Sequence, residues 1–351
     1  MTITINKKEY PLHTLDAGAQ ELSKKRWDSI AKPLHSLGKM EDLVIQTAGI
    51  TGDANVTYEK KALIVMCADN GVVAEGVTQS EQNVTAIVSE NFLSDKATAA
   101  ILCKQTGAEI FPIDIGIAVD TKLENHKIAY GTKNMAKEPA MTREEAEKAM
   151  EVGIEKVREL SGQGYKIIAT GEMGIGNTTT SSALASYFLQ EDVEKMTGRG
   201  AGLTSKALEK KIAVVRKAIA DYSPSFTDAI DALAALGGFD IAGMAGVFLG
   251  GAIYRVPIVM DGFISSTAAL TATRICPACK DFIMASHVSK EPAAEKILAA
   301  MDKEAALHCD MCLGEGTGAV TLFPILDLAT QIYEQMSTFE DIEIDAYVEL
   351  K

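Results

Sequence analysis

The chain has 351 residues, 47% hydrophobic and only 6% aromatic, and a net charge of −14, which argues against a nucleic-acid partner because no basic stripe is present. Met1-Thr-Ile-Thr-Ile-Asn6 lacks a signal peptide's apolar core, and the most apolar tract, Ile241–Tyr254, is closed off by Asp240 and Arg255 before it could span a bilayer, so a cytoplasmic protein with no membrane partner is expected. Ala, Gly, Ile and Val dominate, which suits a buried parallel sheet with helices on both faces.

In chain order, Leu15–Lys32 reads as an amphipathic helix ending near Pro33, and Met40–Ile50 as another helical piece. Neither carries a chemical signal, so residues 1–40 read as a helical accessory outside the sheet. Ala62–Cys67 is a short apolar run followed by Ala68-Asp-Asn-Gly71, the pattern of a buried strand ending in an acid and a glycine. A polar loop over Val72–Asn83 precedes helices at Val84–Phe92 and Ala97–Thr106. Glu109–Gly116 is a second strand, residues 117–140 are irregular, and Thr142–Ser161 is a charged amphipathic helix.

The next strand, Lys166–Thr170, leads into Gly171-Glu-Met-Gly-Ile-Gly-Asn-Thr-Thr-Thr180 and then a helix over Ser181–Leu189. Strand, glycine turn and helix is the layout that presents backbone N–H groups to an anion. Glycines at 171, 174 and 176 permit close approach of a ligand, and Asn177 with the following threonines reads as a helix cap. Glu172 would repel a phosphate, so it is expected to face another part of the ligand. An ordinary capped turn with no ligand is the alternative.

Thr197-Gly-Arg-Gly-Ala-Gly202 is a second glycine-rich loop, carrying Arg199. Leu208–Asp221 is a helix with Lys210 and Lys211 near its start, and Asp231–Tyr254 reads as helical, its glycines at 243, 246, 250 and 251 marking close packing. Val256–Met260 is a strand ending in Asp261-Gly262, and Ser265-Ser-Thr267 is expected to cap a helix over Ala268–Arg274. Three strands thus end in an acid and a glycine, at Asp69/Gly71, Glu172/Gly174 and Asp261/Gly262. In an open parallel sheet, ligands bind at that carboxyl edge. Strand ending and helix capping alone would explain any one of the three.

Cys67 and Cys103 lie in apolar runs and read as core residues. Cys276-Pro-Ala-Cys279 and Cys309-Asp-Met-Cys312 have the spacing of a structural zinc site or of redox pairs. The gap between them is long and looks helical, with Pro277 as a helix-opening residue, so free thiols in a reducing compartment and no metal are expected. Finally, Leu313-Gly-Glu-Gly-Thr-Gly-Ala319 precedes a helix over Val320–Glu334. Glu315, flanked by glycines, could serve as a general base or be a solvated turn residue.

These blocks, with Ala68–Val77, Gly237–Gly246, Asp261–Ser266 and Ser286-His-Val-Ser289, stand in the order found in the nicotinate-nucleotide–dimethylbenzimidazole phosphoribosyltransferase family, which the chain resembles over nearly its whole length. The resemblance implies a Rossmann-like parallel sheet in a large domain over 41–329, a small helical domain from 1–40 with 330–351, and a homodimer. It implies transfer of 5-phosphoribose from nicotinate mononucleotide to 5,6-dimethylbenzimidazole, in assembly of a cobamide's lower-ligand nucleotide. Glu315 falls on the family's catalytic glutamate and Glu172 on a second site carboxylate. Gly174, Ile175, Gly176, Asn177, Thr178, Arg199, Gly200, Lys211, Asp261, Gly262 and Ser289 are then expected at the nucleotide. Ser80, Gln82, Met173 and Leu313 are expected at the acceptor base.

The implied chemistry suits these residues. The nucleotide already carries a cationic pyridinium leaving group, whose departure needs no protonation, whereas the acceptor must lose a ring N–H proton as its other nitrogen attacks C1′. One carboxylate supplies that base, and the remaining work is positioning and electrostatics. No pyrophosphate leaves, so no Mg²⁺ and no other cofactor is expected. One block departs from the pattern. Many members carry an aromatic residue and a proline before the glutamine of the base-binding loop, where this chain has Ser80, Glu81 and Gln82. Without an aromatic face at position 80, adenine or a phenol becomes an alternative acceptor. A dinucleotide-binding oxidoreductase would need a different glycine spacing after the first strand, and a non-catalytic nucleotide-binding homologue would not need Glu315.

Overall fold

The strands form where short apolar runs stop at a polar residue or a glycine. The computed structural model describes residues 1–347. It opens with a hairpin, β1 (Thr2–Ile5) and β2 (Lys8–Pro11), turning through Asn6 and Lys7, both left-handed at φ 47° and 63°. Helices α1 (Ala17–Ser29) and α2 (Lys39–Thr51) follow, the first capped by Asp16, whose carboxylate accepts from Ala19 N at 2.9 Å. Strand β3 (Lys61–Ala68) is buried at every residue, as expected of a strand covered on both faces.

Helices α3 (Asn83–Asn91) and α4 (Thr98–Thr106) lead to β4 (Ala108–Gly116) and a two-residue β5 (Glu124–Asn125). Helix α5 (Arg143–Gly162) starts on a capping box between Thr142 and Glu145. Then come β6 (Ile167–Met173), α6 (Asn177–Leu189), α7 (Val193–Met196), α8 (Ser205–Tyr222), α9 (Ala229–Leu236) and α10 (Phe239–Tyr254). The chain continues with β7 (Ile258–Met260), α11 (Phe263–Ile275), β8 (Ile283–Ala285), α12 (Ala294–Ala300) and α13 (Thr317–Gln335).

The six-stranded sheet runs β5-β4-β3-β6-β7-β8 with every pairing parallel. The chain steps outward from β3 to β4 and β5, then crosses back to β6 on the other side. The carboxyl ends of β3 and β6 therefore flank the topological switch point, where such sheets hold ligands. Helix α10 lies over β3, β4 and β6 with α5 and α11 beside it, and α13 lies on β6 beside α4 and α2. The α10 glycines let α5 come close: a Cβ on Gly246 would stand 1.9 Å from Met150 O, and one on Gly153 would stand 2.1 Å from Gly243 O.

Four local expectations change. The helical tract from Asp231 is two helices, broken at Gly237-Gly238, where both residues are extended and Gly238 caps α10. Helix α11 begins straight after Gly262 rather than at residue 268. Its Ser266 and Thr267 hydroxyls donate back to Gly262 O at 2.8 Å and Phe263 O at 3.0 Å, so they lie within the helix rather than capping it. The stretch after Cys279 is not mainly helical, since it contains β8, a short apolar run against β7. The hairpin β1–β2 adds strand to an N-terminus read as helical.

Ile5, Tyr10 and Leu12 from that hairpin segment belong to the main core. A second, small core gathers Trp27, Ile30, Val44, Ala329 and Tyr333, with the Trp27 and Tyr333 rings 5.0 Å apart. Arg26 Nε donates to Tyr333 O at 3.0 Å, and buried Lys32 meets Glu41 at 2.7 Å. Of the expected small-domain segment 330–351, residues 348–351 lie outside the described residues. Among the described residues no helix is long and apolar enough to cross a membrane.

Candidate active site

Beyond the carboxyl ends of β6 and β7 lies a cavity of about 310 Å³. Its floor is the β6–α6 turn. Gly176 is left-handed at φ 94° and stands as the α6 N-cap, so Asn177 is the first helical residue and its side chain caps nothing. That side chain points inward instead. Its amide donates to Glu172 Oε2 and, at 3.1 Å, to Asp240 Oδ2. Gly174 permits this arrangement, since a Cβ there would lie 2.5 Å from Asp240 Oδ2 and 2.6 Å from Ala68 O.

Glu172 and Asp240 are both buried, and burial pushes both carboxyls up. Asp240 rises to about 6. Glu172 rises to about 8, because the charges of Asp240 and Asp261 add to its burial and the Asn177 amide only partly offsets them. Glu172 is therefore suited to holding a proton and donating it in a hydrogen bond at neutral pH, rather than to removing one.

Asp261 organises the opposite wall. Its carboxylate accepts from Gly316 N at 3.0 Å, Gly318 N at 2.7 Å and Ala319 N at 3.1 Å. These are N–H groups at the start of α13, where a negative charge also meets the positive end of the helix dipole. The loop so held has three successive left-handed residues, Gly314 at 91°, Glu315 at 62° and Gly316 at 82°. A glutamate in that conformation costs about 1–2 kcal/mol, and the Asp261 hydrogen bonds hold it there. Gly171 makes room beneath, because a Cβ there would stand 2.7 Å from Glu315 O. Glu315 N donates to Glu172 Oε1 at 3.4 Å. The Glu315 carboxylate lines the cavity, and its Oε2 is buried without a partner. Burial raises its proton affinity, the backbone of Ala99 lowers it, and Asp261's charge raises it further.

At the other end the lining forms a cradle of the kind that can hold an anion. Ile175, Gly176, Asn177 and Thr178 at the α6 N-terminus line it, facing Gly200, Ala201 and Ser289. Lys211, on α8 and 1% exposed, reaches underneath: its ammonium donates to Thr178 Oγ1 at 2.8 Å and Gly198 O at 3.2 Å. Burial lowers Lys211 to about 8, and the charge of Glu291, which lines the cradle, raises it.

Between the two ends Met173, Ile175, Phe263 and Leu313 give an apolar stretch, with Thr78 and Val88 contributed by the loop after β3 and by α3. Besides Lys211, three expected site residues do not line the cavity. Arg199 is exposed and turned onto its own loop, donating to Leu203 O at 2.7 Å and Ser205 Oγ at 3.2 Å. Ser80 lies behind Thr78, its N–H donating to Thr78 Oγ1 at 3.2 Å, and Gln82 stands at the α3 N-cap. Asp69 departs from the acid-tipped strand pattern too, since its carboxylate accepts from Ala118 N at 2.8 Å and lies off the cavity. The remaining expected residues line the cavity, apart from Lys211 beneath it.

Sequence reasoning missed Asp240, Glu291, His287, Thr78 and Val88. Asp240 follows the Gly237-Gly238 break, and His287 stands in the Ser286–Ser289 block, so both had a signal. Val88 had none, whereas Thr78 opens the segment Thr78–Asn83 that was expected to wall the base site. Among the cysteines, Cys67, Cys103, Cys276 and Cys279 are buried, and Cys309 and Cys312 are exposed. Among the described residues, no group of three or more His, Cys, Asp or Glu is placed to hold a metal ion.

The whole chain has close relatives. A family model described as Phosphoribosyltransferase matches residues 12–344. The nicotinate-nucleotide–dimethylbenzimidazole phosphoribosyltransferase of Clostridium acetobutylicum is 49% identical, with 97% of each chain covered. The enzyme of the same name from Acetivibrio thermocellus is 48% identical over 93% of this chain and 94% of its own. The crystal structure of CobT from Thermus thermophilus superposes with a TM-score of 0.89 at 34% identity, covering 93% of this chain and 99% of that one. At this identity and coverage, the chain belongs to the nicotinate-nucleotide–dimethylbenzimidazole phosphoribosyltransferase family.

Proposed function

We propose that this enzyme transfers 5-phosphoribose from nicotinate mononucleotide to 5,6-dimethylbenzimidazole or a related base, giving the α-ribazole 5′-phosphate and nicotinate. The observation that carries the reading is Glu315, whose Oε2 is buried without a partner and which shares one cavity with the Lys211-backed anion cradle. The phosphate takes the cradle of Gly174, Ile175, Gly176, Asn177, Thr178, Gly200 and Ser289, where the α6 N–H groups meet its charge. The ribose lies toward Asp261 and Gly262. The acceptor lies in the apolar stretch of Met173, Ile175 and Leu313, within reach of Glu315.

Glu315 removes the acceptor's ring proton as the opposite nitrogen attacks C1′. Burial raises that carboxyl's proton affinity, which makes it a stronger base than an exposed glutamate. Attack from the face away from nicotinate inverts C1′, so a β-nucleotide gives an α-nucleotide. The pyridinium nitrogen takes the electrons of the breaking bond, and neutral pyridine departs without an acid. Glu172, holding its own proton, acts as a hydrogen-bond donor. The chemistry calls for no metal.

A homodimer in the cytoplasm is part of the same reading: the homodimer rests on the resemblance alone and the location on the lack of a signal peptide's apolar core; light scattering would measure the assembly. An acceptor such as adenine or a phenol is a second reading, raised by the sequence departure at Ser80 and weakened by the place of Ser80 off the cavity. The deciding experiment incubates the enzyme with nicotinate mononucleotide and a panel of bases, and follows nicotinate release and product by chromatography. Stoichiometric α-ribazole phosphate is expected, and release of nicotinate with no base consumed would sink the reading.

A further inference from the structure

One motif has no part in the reaction above. The Cys309-x-x-Cys312 pair is exposed at both residues and lies on the segment that carries Glu315. That segment runs beside residues 285–290: Leu307 N donates to Ser286 O at 2.9 Å and Val288 N to Leu307 O at 3.1 Å. Between residues 308 and 313, the one backbone bond to a distant part of the chain, among the described residues, is Lys290 N to Met311 O at 3.1 Å. No helix, turn or bend holds residues 308–314, and Asp310 between the two cysteines is left-handed at φ 52°. Directly after it, Cys312, Leu313, Gly314 and Glu315 all line the cavity.

We propose that Cys309 and Cys312 form a peroxide-oxidisable dithiol site, and that closing it to a disulfide draws the Cys312–Glu315 wall away from its place in the cavity. A disulfide holds its Cα atoms about 4.4–6.8 Å apart. Residues three apart come that close in a turn, and this stretch has none. Oxidation therefore replaces an open run with a turn, against the bond at Met311 O and, two residues beyond Cys312, the Thr317 N to Gly314 O bond at 3.0 Å. Cys312 moves toward Cys309 and pulls Leu313 and Gly314 with it.

The chemistry balances with a hydroperoxide as oxidant. One thiolate attacks the O–O bond, forming S–OH and releasing an alcohol or water. The second sulfur then displaces the hydroxyl as water and forms S–S, so two electrons and both thiol protons pass to the peroxide. Cys276 and Cys279 do not compete, since both are buried and burial raises their thiols.

The effect on turnover rests on the proposed phosphoribosyl transfer, whereas bond formation and wall movement do not. The full chain would be treated with hydrogen peroxide, quenched, and compared with the reduced form by peptide mass, hydrogen exchange and turnover. The peptide spanning 309–312 is expected to lose two hydrogens, and amides 311–316 to change their exchange rate. Turnover is expected to fall by about tenfold or more, as displaced catalytic groups do, and to return with dithiothreitol. Cys309→Ser should match the reduced wild type and resist the same treatment. Absence of the 309–312 disulfide overturns the proposal, and so does a disulfide that leaves exchange at 311–316 unchanged. If the reduced enzyme turns over no base, the functional reading fails, and the mass and exchange results still decide the proposal.

Discussion

Glu172 and Asp240 share one amide: the Asn177 side chain donates to Glu172 Oε2 and to Asp240 Oδ2, and both carboxyls are buried around it. Each binds its proton at higher pH in the folded chain than in the unfolded one, Glu172 at about 8 against 4.5 and Asp240 at about 6 against 3.8. Between the unfolded and folded values the native state holds more protons. Stability is thus fullest below the unfolded values and is lost as pH rises through the folded ones. Melting temperature should fall from pH 5 to 8 in the wild type. In Glu172→Gln the fall should be shallower, because a neutral amide replaces the group with the larger shift. Equal slopes in calorimetry would show that Glu172 ionises freely.

Glu315→Gln keeps the shape of the loop and removes the base. Turnover should drop by about two to four orders of magnitude, the usual worth of a general base. Affinity for nicotinate mononucleotide should hold, since the cradle is untouched. The acid limb of the kcat/KM profile, where the wild type loses its base to protonation, should disappear in the residual activity. Titration calorimetry with steady-state rates across pH would test this, and near-normal turnover removes Glu315 from the role.

Asp261→Asn probes how Glu315 is held. The carboxylate accepts three backbone N–H groups through both oxygens, and an asparagine has one oxygen to offer. Its NH₂ would face a donor. Losing charge-assisted hydrogen bonds of about 1.5–3 kcal/mol each should lower the melting temperature by several degrees. It should also release the left-handed Glu315, so kcat should fall more than KM rises. A stable variant with normal kcat would mean the loop holds itself.

Much of this site was legible in the sequence, for a physical reason. Gly171, Gly174 and Gly314 mark places where backbone passes over backbone or over a carboxylate, Gly176 and Gly316 are left-handed, and those needs leave a local signature. Asp261 was legible as a strand-end acid, though not as the anchor of the α13 start, because its partners lie far along the chain. Arg199 misled because a basic residue in a glycine loop looks the same whether it faces a phosphate or its own loop's carbonyls. Asn177 misled in the same way, since a cap and an inward-pointing amide share one sequence. In the fold, β8 was missed because a three-residue strand carries almost no periodicity.

Lys211→Met tests the anion cradle. The lysine is buried, bonded to Thr178 Oγ1 and Gly198 O, and lowered to about 8 by burial. Removing a cation of this kind costs about 1.5–3 kcal/mol against a bound phosphate, or roughly 10- to 150-fold in affinity. In the wild type, affinity should also weaken above about pH 8, as Lys211 loses its proton. The methionine variant should lack that weakening. Calorimetric titration with nicotinate mononucleotide at pH 7 and pH 9 would measure both effects, and unchanged affinity at pH 7 would place the phosphate elsewhere.

Acceptor choice should respond to Val88 and not to Ser80. The family resemblance points to position 80, where its pattern implies an aromatic. Ser80, however, lies off the cavity, while Thr78 and Val88 line it together with Met173 and Leu313. An aromatic face at position 88 would stack on a flat benzimidazole, a gain of about 1 kcal/mol beyond burial. Val88→Phe should therefore raise the preference for dimethylbenzimidazole over a phenol by roughly 3- to 10-fold. Ser80→Phe should change the ratio by less than about twofold, the size of an ordinary surface substitution. Competition between paired acceptors in one reaction reads the ratio directly. A large change at position 80 with none at 88 would mean that the Thr78–Asn83 loop moves onto the acceptor when substrates bind, and that the cavity wall differs between the free and loaded enzyme.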